Sequence, residues 1–119
     1  ILWAYKLNKP IYITENGIPD HDDDIRPGFI VGNLREVWRA ISFCFPVMGY
    51  YHWTLVDNFE WDRGWTQRFG LYELDEATGV RTMRRSAQLY SEICHSRSIT
   101  SHMVEHYAPH LMQAYFPDF

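Results

Sequence analysis

The strongest constraint on the fold is an apolar pattern that changes from strand to helix and back within residues 11–56. Residues 11–14 are β-branched or aromatic, and an Asn-Gly turn follows Glu15, which predicts a short buried strand that ends at Glu15. Helical spacing from Phe29 predicts an amphipathic helix that Pro46 ends, and residues 47–56 predict a second strand covered on both faces. Two strands joined by a helix are expected to pair in parallel through a right-handed crossover, so both should end at one edge.

Beyond the second strand, the sequence predicts a hairpin, a last helix and a tail. Residues 71–74 and 80–83 flank an Asp-Glu-Ala-Thr-Gly turn, which predicts an antiparallel hairpin. A second amphipathic helix is expected near Arg84–Ser96. We therefore predict that residues 1–119 form one α/β domain or a segment of a larger one, in which residues 98–119 are a His-rich C-terminal extension of the same domain.

Charge and composition exclude several kinds of partner. The formal charge is −4 and no basic stripe is visible, which argues against nucleic acid. No apolar stretch approaches the ~20 residues that span a bilayer, and no signal peptide is visible, so no membrane partner is expected. Cys44 and Cys94 lie in apolar helical patterns without metal or disulfide spacing. They are predicted to be small buried residues, and a reducing cytoplasmic location is expected.

Carboxylates and indoles follow the two predicted parallel strands. Glu15 ends the first strand, and Trp53, Glu60 and Trp61 lie at the end of the second or just after it. Ligands of parallel α/β folds bind at the carboxyl ends of the strands. Flat rings can cover the C–H face of a sugar, and carboxylates can accept hydrogen bonds from its hydroxyls. A carboxylate beneath the anomeric carbon can also act as a nucleophile, so a carbohydrate site is predicted here.

Two sequence motifs at this edge carry a family resemblance. Residues 13–17 read Ile-Thr-Glu-Asn-Gly and resemble the nucleophile motif of family 1 glycoside hydrolases. Residues 52–61 (His-Trp-Thr-Leu-Val-Asp-Asn-Phe-Glu-Trp), with Gly64 and Arg-Phe-Gly-Leu at 68–71, resemble that family's sugar-binding signature. The resemblance covers about residues 11–99, and the Asp-Asp-Asp-Ile-Arg-Pro loop and the tail are most similar to β-glycosidases of thermophilic archaea and some bacteria.

The resemblance implies both a fold and a set of residue roles. Family 1 enzymes are (β/α)8 TIM barrels, so this chain would be the C-terminal portion, about the last two β/α units. Glu15 would be the catalytic nucleophile and Trp53 the platform for the non-reducing sugar. Glu60 would bind the 4- and 6-hydroxyls, Trp61 the 3-hydroxyl, and Phe69 would wall the same subsite. An acid at Glu60 would repel a phosphate dianion, which favours a neutral glycone.

The implied activity needs residues that this chain does not contain. A retaining glycosidase requires a second carboxyl group about 5 Å from the nucleophile. The family carries it in an Asn-Glu-Pro motif, which does not occur here. The chain also begins Ile-Leu-Trp within an apolar pattern, so we expect it to be part of something longer. The resemblance implies that the chain is part of a retaining β-glycosidase for terminal β-D-glucosyl or β-D-galactosyl residues, which needs no cofactor or metal. We expect it to be inactive without the N-terminal remainder of the barrel, and further copies of the protein are among its expected partners.

Several simpler interpretations of these residues remain open. Glu15 can be a polar turn residue, Trp53 a core aromatic and Glu60 a solvated loop acid. A non-catalytic carbohydrate-binding module would use the same aromatic and acidic rim.

Two further groups of residues have side chains of the types that bind metal ions. His102, Glu105 and His106 form an H-x-x-E-H pattern that His110 extends, so a zinc hydrolase is a third hypothesis and a surface histidine cluster its alternative. The aspartates at residues 22–24 lack calcium-loop spacing and are predicted to form a solvated loop.

Overall fold

The computed structural model describes residues 1–118 and contains the predicted strand–helix–strand unit. A short helix, α1 (Leu2–Tyr5), precedes strand β1 (Ile11–Asn16), helix α2 (Arg26–Ser42) and strand β2 (Val47–His52). Strands β1 and β2 pair in parallel, so their carboxyl ends meet at one edge as predicted.

The hairpin and the last predicted helix are also present. Strands β3 (Tyr72–Leu74) and β4 (Arg81–Met83) pair antiparallel, and α3 (Arg85–Ser96) follows them. The tail forms α4 (Ser101–Tyr107), a 3-10 turn, and α5 (Met112–Tyr115). No helix within residues 1–118 combines the length and the apolar character needed to cross a membrane.

One hydrophobic core joins the helices, the start of the hairpin and the tail. Its apolar side chains come from one face each of α2, α3 and α4, and burying them removes apolar surface from water. The buried members are Ile30, Val31, Leu71, Ala87, Leu89, Ile93, Met103, Val104, Tyr107 and Ala108. The tail is therefore packed into the same core as the two helices before it.

Helix α2 begins about one turn before its predicted start at Phe29. It begins at Arg26, so that Pro27 and Gly28 lie inside the first turn. Proline is compatible with this position because the first helical N–H groups have no intrahelical partner. A Cβ at Gly28 would lie 2.8 Å from His110 Nε2, so the glycine makes room for the tail.

Strand β2 is shorter and less covered than predicted. It ends at His52 instead of continuing to Val56, because the chain then leaves β1 and bonds to the segment before β3. Thr54 N–H donates to the carbonyl of Phe69 at 3.2 Å, and Val56 forms an isolated parallel bridge with Tyr72. Both faces of β2 were expected to be covered, but its side chains at positions 48 and 51 are exposed.

The two cysteines are exposed, which contradicts their predicted burial. Cys44 lies in the turn beyond the end of α2, and Cys94 lies next to the buried Ile93 but on the outer side of α3. Trp38 and Ile41 also have exposed side chains, because the end of α2 borders an open groove. Helical periodicity identified an apolar stripe here, but neighbouring elements cover only part of it.

The predicted solvated aspartate loop is confirmed at two of its three positions, but Asp23 belongs to a buried charge network. Asp23 forms an ion pair with Arg26, and both side chains are almost fully buried, whereas the aspartates at positions 22 and 24 are exposed. A second pair joins Asp57 Oδ1 to Arg84 Nη1 at 3.0 Å. Burial lowers the pKa of the Arg26 guanidinium, although the charge of Asp23 opposes this shift.

This network connects three segments that are distant in sequence. Arg26 donates to the carbonyl of Arg68 at 2.7 Å, and Asp23 Oδ2 accepts the N–H of Ser86 at 2.8 Å. Arg84 donates to the carbonyl of Gly70 at 2.8 Å. The charges therefore hold together the loop before α2, the long loop after β2 and the first turn of α3.

His52 is a partly buried imidazole at the end of β2. Its ring lies against Tyr90 of α3, with ring centroids 6.0 Å apart. Burial, and then the positive charge of Arg26, lower the pKa of His52 to about 4 from an ordinary value of about 6.5. The folded chain therefore keeps this imidazole neutral at pH values where an unfolded chain would bind the proton.

Removal of the Asp57 carboxylate should strongly destabilise the fold. In Asp57→Ala the Arg84 charge stays buried without its partner, and we expect a loss of about 3–5 kcal/mol in the free energy of unfolding. Urea denaturation measures this loss. Glu36→Ala is the matched control because it removes an exposed carboxylate that pairs with Arg39, and it should cost less than about 1 kcal/mol. Equal costs for the two variants would contradict the structural importance of the network.

Stability should fall as the pH decreases from about 6.5 to about 4, because the unfolded chain binds a proton on His52 that the folded chain excludes. The contribution of one such group is at most about 1.4 kcal/mol per pH unit. Urea denaturation at pH 7 and pH 5 should show this decline in the parent chain and a weaker decline in His52→Asn. His21→Asn, which alters an exposed imidazole, should keep the parent's decline. An unchanged decline in His52→Asn would contradict the assignment to His52.

Candidate functional site

The two parallel strand ends are in direct contact at the predicted site. The side chain of Glu15, near the end of β1, is exposed. The N–H of Trp53 donates to the carbonyl of Asn16 at 3.1 Å. A Cβ at Gly17 would lie 1.8 Å from the carbonyl oxygen of Trp53, so only glycine permits this approach. The predicted nucleophile and the predicted sugar platform thus lie on chain segments that touch.

A β-bulge lies in β1 next to Glu15. Ile13 pairs with Tyr50, and Asn16 pairs with His52, so three steps along β1 match two steps along β2. Between these two pairs β1 therefore contains one extra residue, whereas an opposite shift, with the extra residue on β2, lies between Ile11 and Tyr12. Such a bulge re-aims nearby side chains and commonly occurs beside active sites.

Trp53 and Glu60 form a direct pair. The Trp53 indole Nε1 donates to Glu60 Oε1 at 3.0 Å, and both side chains are partly buried. Glu60 immediately precedes the 3-10 turn Trp61–Arg63, and its N–H donates to the carbonyl of Gly64 at 2.7 Å. The observed contact fits a fixed binding group better than a freely solvated loop acid, and it constrains the plane of the indole.

An open cavity of about 480 Å³ lies beside Glu60. Its walls include three of the predicted sugar-binding residues, Glu60, Trp61 and Phe69. The Trp61 side chain is 85% exposed, so its indole is available to a ligand. Sequence reasoning missed Arg63 and Gln67, which also line the cavity, because no motif in the chain distinguishes them. The structure therefore brings together Trp53, Glu60, Trp61 and Phe69, and Glu15 lies on the adjoining strand end.

The histidines of the tail do not form the hypothesised zinc site. The rings of His102 and His106 on α4 stack with centroids 6.5 Å apart. Helix α4 ends at Tyr107, so His110 lies on a separate turn, where its ring approaches Gly28. Across residues 1–118, no three His, Cys, Asp or Glu side chains are grouped so that they could hold a metal ion.

Comparisons with known proteins show the family of the chain. Residues 1–99 match the model of glycosyl hydrolase family 1. A β-galactosidase from Pyrococcus woesei is 40% identical over 106 residues, which are 88% of this chain and 21% of that protein. The structure of a β-glycosidase from Pyrococcus horikoshii matches with a TM-score of 0.85 and 42% identity, over 89% of this chain and 25% of that one.

A β-glucosidase mutant derived from a hyperthermophilic tetrameric structure matches with a TM-score of 0.81 and 38% identity, over 86% of this chain and 22% of that one. The chain thus spans about a fifth to a quarter of the length of these relatives. The fold is the C-terminal portion of a (β/α)8 barrel, as the family resemblance implied. By its motifs, its strand ends and these similarities, the chain belongs to glycosyl hydrolase family 1.

Proposed function

We propose that this chain supplies the C-terminal part of the active site of a retaining β-glycosidase, with Glu15 as the nucleophile. The enzyme releases terminal non-reducing β-D-glucosyl or β-D-galactosyl residues. The observation that carries the proposal is the Trp53–Glu60 pair beside the strand end that bears Glu15. Family membership supports the same chemistry.

The proposed reaction proceeds in two displacements. The Glu15 carboxylate attacks the anomeric carbon, the glycosidic C–O bond breaks, and the leaving oxygen takes a proton from the second carboxyl group. Water then attacks the glycosyl-enzyme ester, the second group now accepts the proton of water, and Glu15 leaves as a carboxylate. The N-terminal remainder of the barrel supplies this second group, about 5 Å from Glu15.

The remaining residues bind the sugar that is released. The indole of Trp53 stacks on the pyranose, and the indole N–H donates its hydrogen bond to Glu60 Oε1. Glu60 Oε2 is then the oxygen that accepts hydrogen bonds from the 4- and 6-hydroxyls. Trp61 donates its indole N–H to the 3-hydroxyl, and Phe69 closes the subsite. The Glu60 charge favours a neutral glycone over a phosphorylated one.

The partners of the chain follow from the same proposal. They are the β-glycoside, the rest of the barrel and, in an oligomer, further copies of the protein. The tetrameric origin of a similar β-glucosidase supports the last of these. A cytoplasmic location is part of the proposal.

Glu15→Gln should abolish turnover. The test protein, here called the joined barrel, is this chain fused to the N-terminal part of the Pyrococcus horikoshii β-glycosidase in place of the corresponding C-terminal segment. We expect kcat on a nitrophenyl β-glucoside to fall roughly 10³-fold or more, because no glycosyl ester can form. Glu36→Gln, an exposed change on α2, should leave kcat unchanged. Turnover that survives Glu15→Gln would overturn the assigned role. Sugar binding by this chain without a partner would favour the binding module.

Glu60→Gln should weaken recognition of the hydroxyls more than chemistry itself. Hydrogen bonds to a charged group contribute about 1.5–3 kcal/mol, so kcat/KM on a β-D-galactoside should fall about 10- to 100-fold. The loss should be smaller on the matching β-D-fucoside, which lacks the 6-hydroxyl. Steady-state kinetics of the joined barrel on both substrates measure this difference. Equal losses on the two would remove the 6-hydroxyl from the role of Glu60.

A further inference from the structure

One hydrogen bond closes the bulge beside the proposed nucleophile. The Tyr50 hydroxyl of β2 donates to Asn16 Oδ1 of β1 at 2.8 Å. Asn16 directly follows Glu15, and its backbone carbonyl accepts the N–H of Trp53. Asn16 is therefore held both at its side chain and at its backbone, on the carboxyl side of the extra residue.

Helix α3 holds Tyr50 in turn. The rings of Tyr50 and Tyr90 are tilted by 52° with centroids 6.4 Å apart. The Tyr90 hydroxyl also donates to the backbone carbonyl of Tyr50 at 3.4 Å. Burial, and then the neighbouring Tyr90, raise the pKa of the Tyr50 hydroxyl, so it remains a proton donor across the neutral range.

A bulged strand has an alternative in which the extra residue moves along the ladder. Because side chains alternate between the two faces of a strand, a shift by one residue would turn Glu15 away from its present face. Within the described residues 1–118, β1 pairs with β2, and the register between the two strands shifts beside Glu15. The Tyr50 hydroxyl bonds the side chain of Asn16 and not the backbone. A shift by one residue would bring a different side chain opposite Tyr50 and break this bond, so the bond favours the observed register.

We propose that Tyr50 is a positioning residue that fixes the direction of the Glu15 carboxylate by bonding Asn16 across the bulge. The proposal rests on the assignment of Glu15 as nucleophile. The Tyr50 hydroxyl bonds Asn16, and its ring lies against Tyr90 on α3. Its effect reaches the reaction through the backbone between Asn16 and Glu15, and it acts on the transition state, where the position of the attacking oxygen is most critical.

Tyr50→Phe in the joined barrel tests the proposal because it removes the hydroxyl and keeps the ring. We expect kcat to fall about 10- to 100-fold while KM changes less than about 3-fold, since misplacement of a reacting group affects kcat. Tyr107→Phe is the matched control. It removes a hydroxyl that donates to Glu92 at 2.6 Å on α3, away from the strand ends, and should leave kcat unchanged.

Covalent labelling distinguishes three causes of a low kcat: a misplaced Glu15, a smaller amount of folded protein, and a nucleophile other than Glu15. A 2-deoxy-2-fluoro β-glucoside with a good leaving group should label Glu15 in the parent, with the modified peptide identified by mass spectrometry. The final amount of label counts active sites, so Tyr50→Phe should reach the same amount at a rate lower by the same 10- to 100-fold. No label on Glu15 in the parent would overturn both proposals. A parent that is labelled and a Tyr50→Phe variant that reacts as fast as Tyr107→Phe would overturn this one alone.

Asn16→Ala provides a second route if Tyr50→Phe does not fold. It removes the acceptor of the same bond, so its labelling rate should fall to a similar extent. When both single variants fold, the double variant should label no more slowly than the slower single one, because the two groups act as one unit. Additive losses would show that Tyr50 does not act through Asn16, and would overturn the proposal.

Discussion

The shape of the site depends on buried charges more than on the sheet. The loop from residue 53 to residue 71 carries four of the five proposed sugar-contacting residues, yet it contains only one 3-10 turn. Asp57 organises it by accepting the N–H of Gly70 at 2.8 Å and the guanidinium of Arg84 at 3.0 Å. A Cβ at Gly70 would lie 2.3 Å from the Asp57 nitrogen, so the contact also requires glycine. The two ends of the loop are thus fixed to each other and to α3.

The buried charge network selects one conformation of the chain more than it adds to the free energy of unfolding. Removing two charges from water costs most of what their attraction returns, but losing one partner leaves the other buried and uncompensated. Arg26 illustrates this, since burial lowers its pKa even though Asp23 lies beside it. Because Arg26 and Arg84 also donate to backbone carbonyls of the loop, a loop conformation without these acceptors would leave buried donors unpaired. The network therefore selects one conformation of the sugar-binding loop.

Sequence predicted the features that depend on local pattern and missed those that depend on distant partners. The spacing of apolar residues located β1, α2, the hairpin and α3, because those periods are set by neighbours in the chain. Asp23 was expected in solvent because its partner Ser86 is 63 residues away, and nothing in the local pattern indicates that contact. Cys94 was expected inside because helical periodicity locates a face only approximately. The motifs marked the proposed site residues, but the bulge between Ile13 and Asn16 appears only in the strand register.

The structure holds the proposed site from two independent sides, which meet at Trp53. From the sheet, the bond between Tyr50 and Asn16 fixes the end of β1, and the backbone of Asn16 holds Trp53. From the loop, Glu60 bonds the Trp53 indole. The sugar platform is therefore connected to the proposed nucleophile through its backbone and to the hydroxyl-binding acid through its ring. Catalysis requires that the anomeric carbon lie within a few tenths of an ångström of its position for attack by the carboxylate. The two attachments of Trp53 meet this requirement, because they fix the sugar platform relative both to the strand end that bears Glu15 and to Glu60.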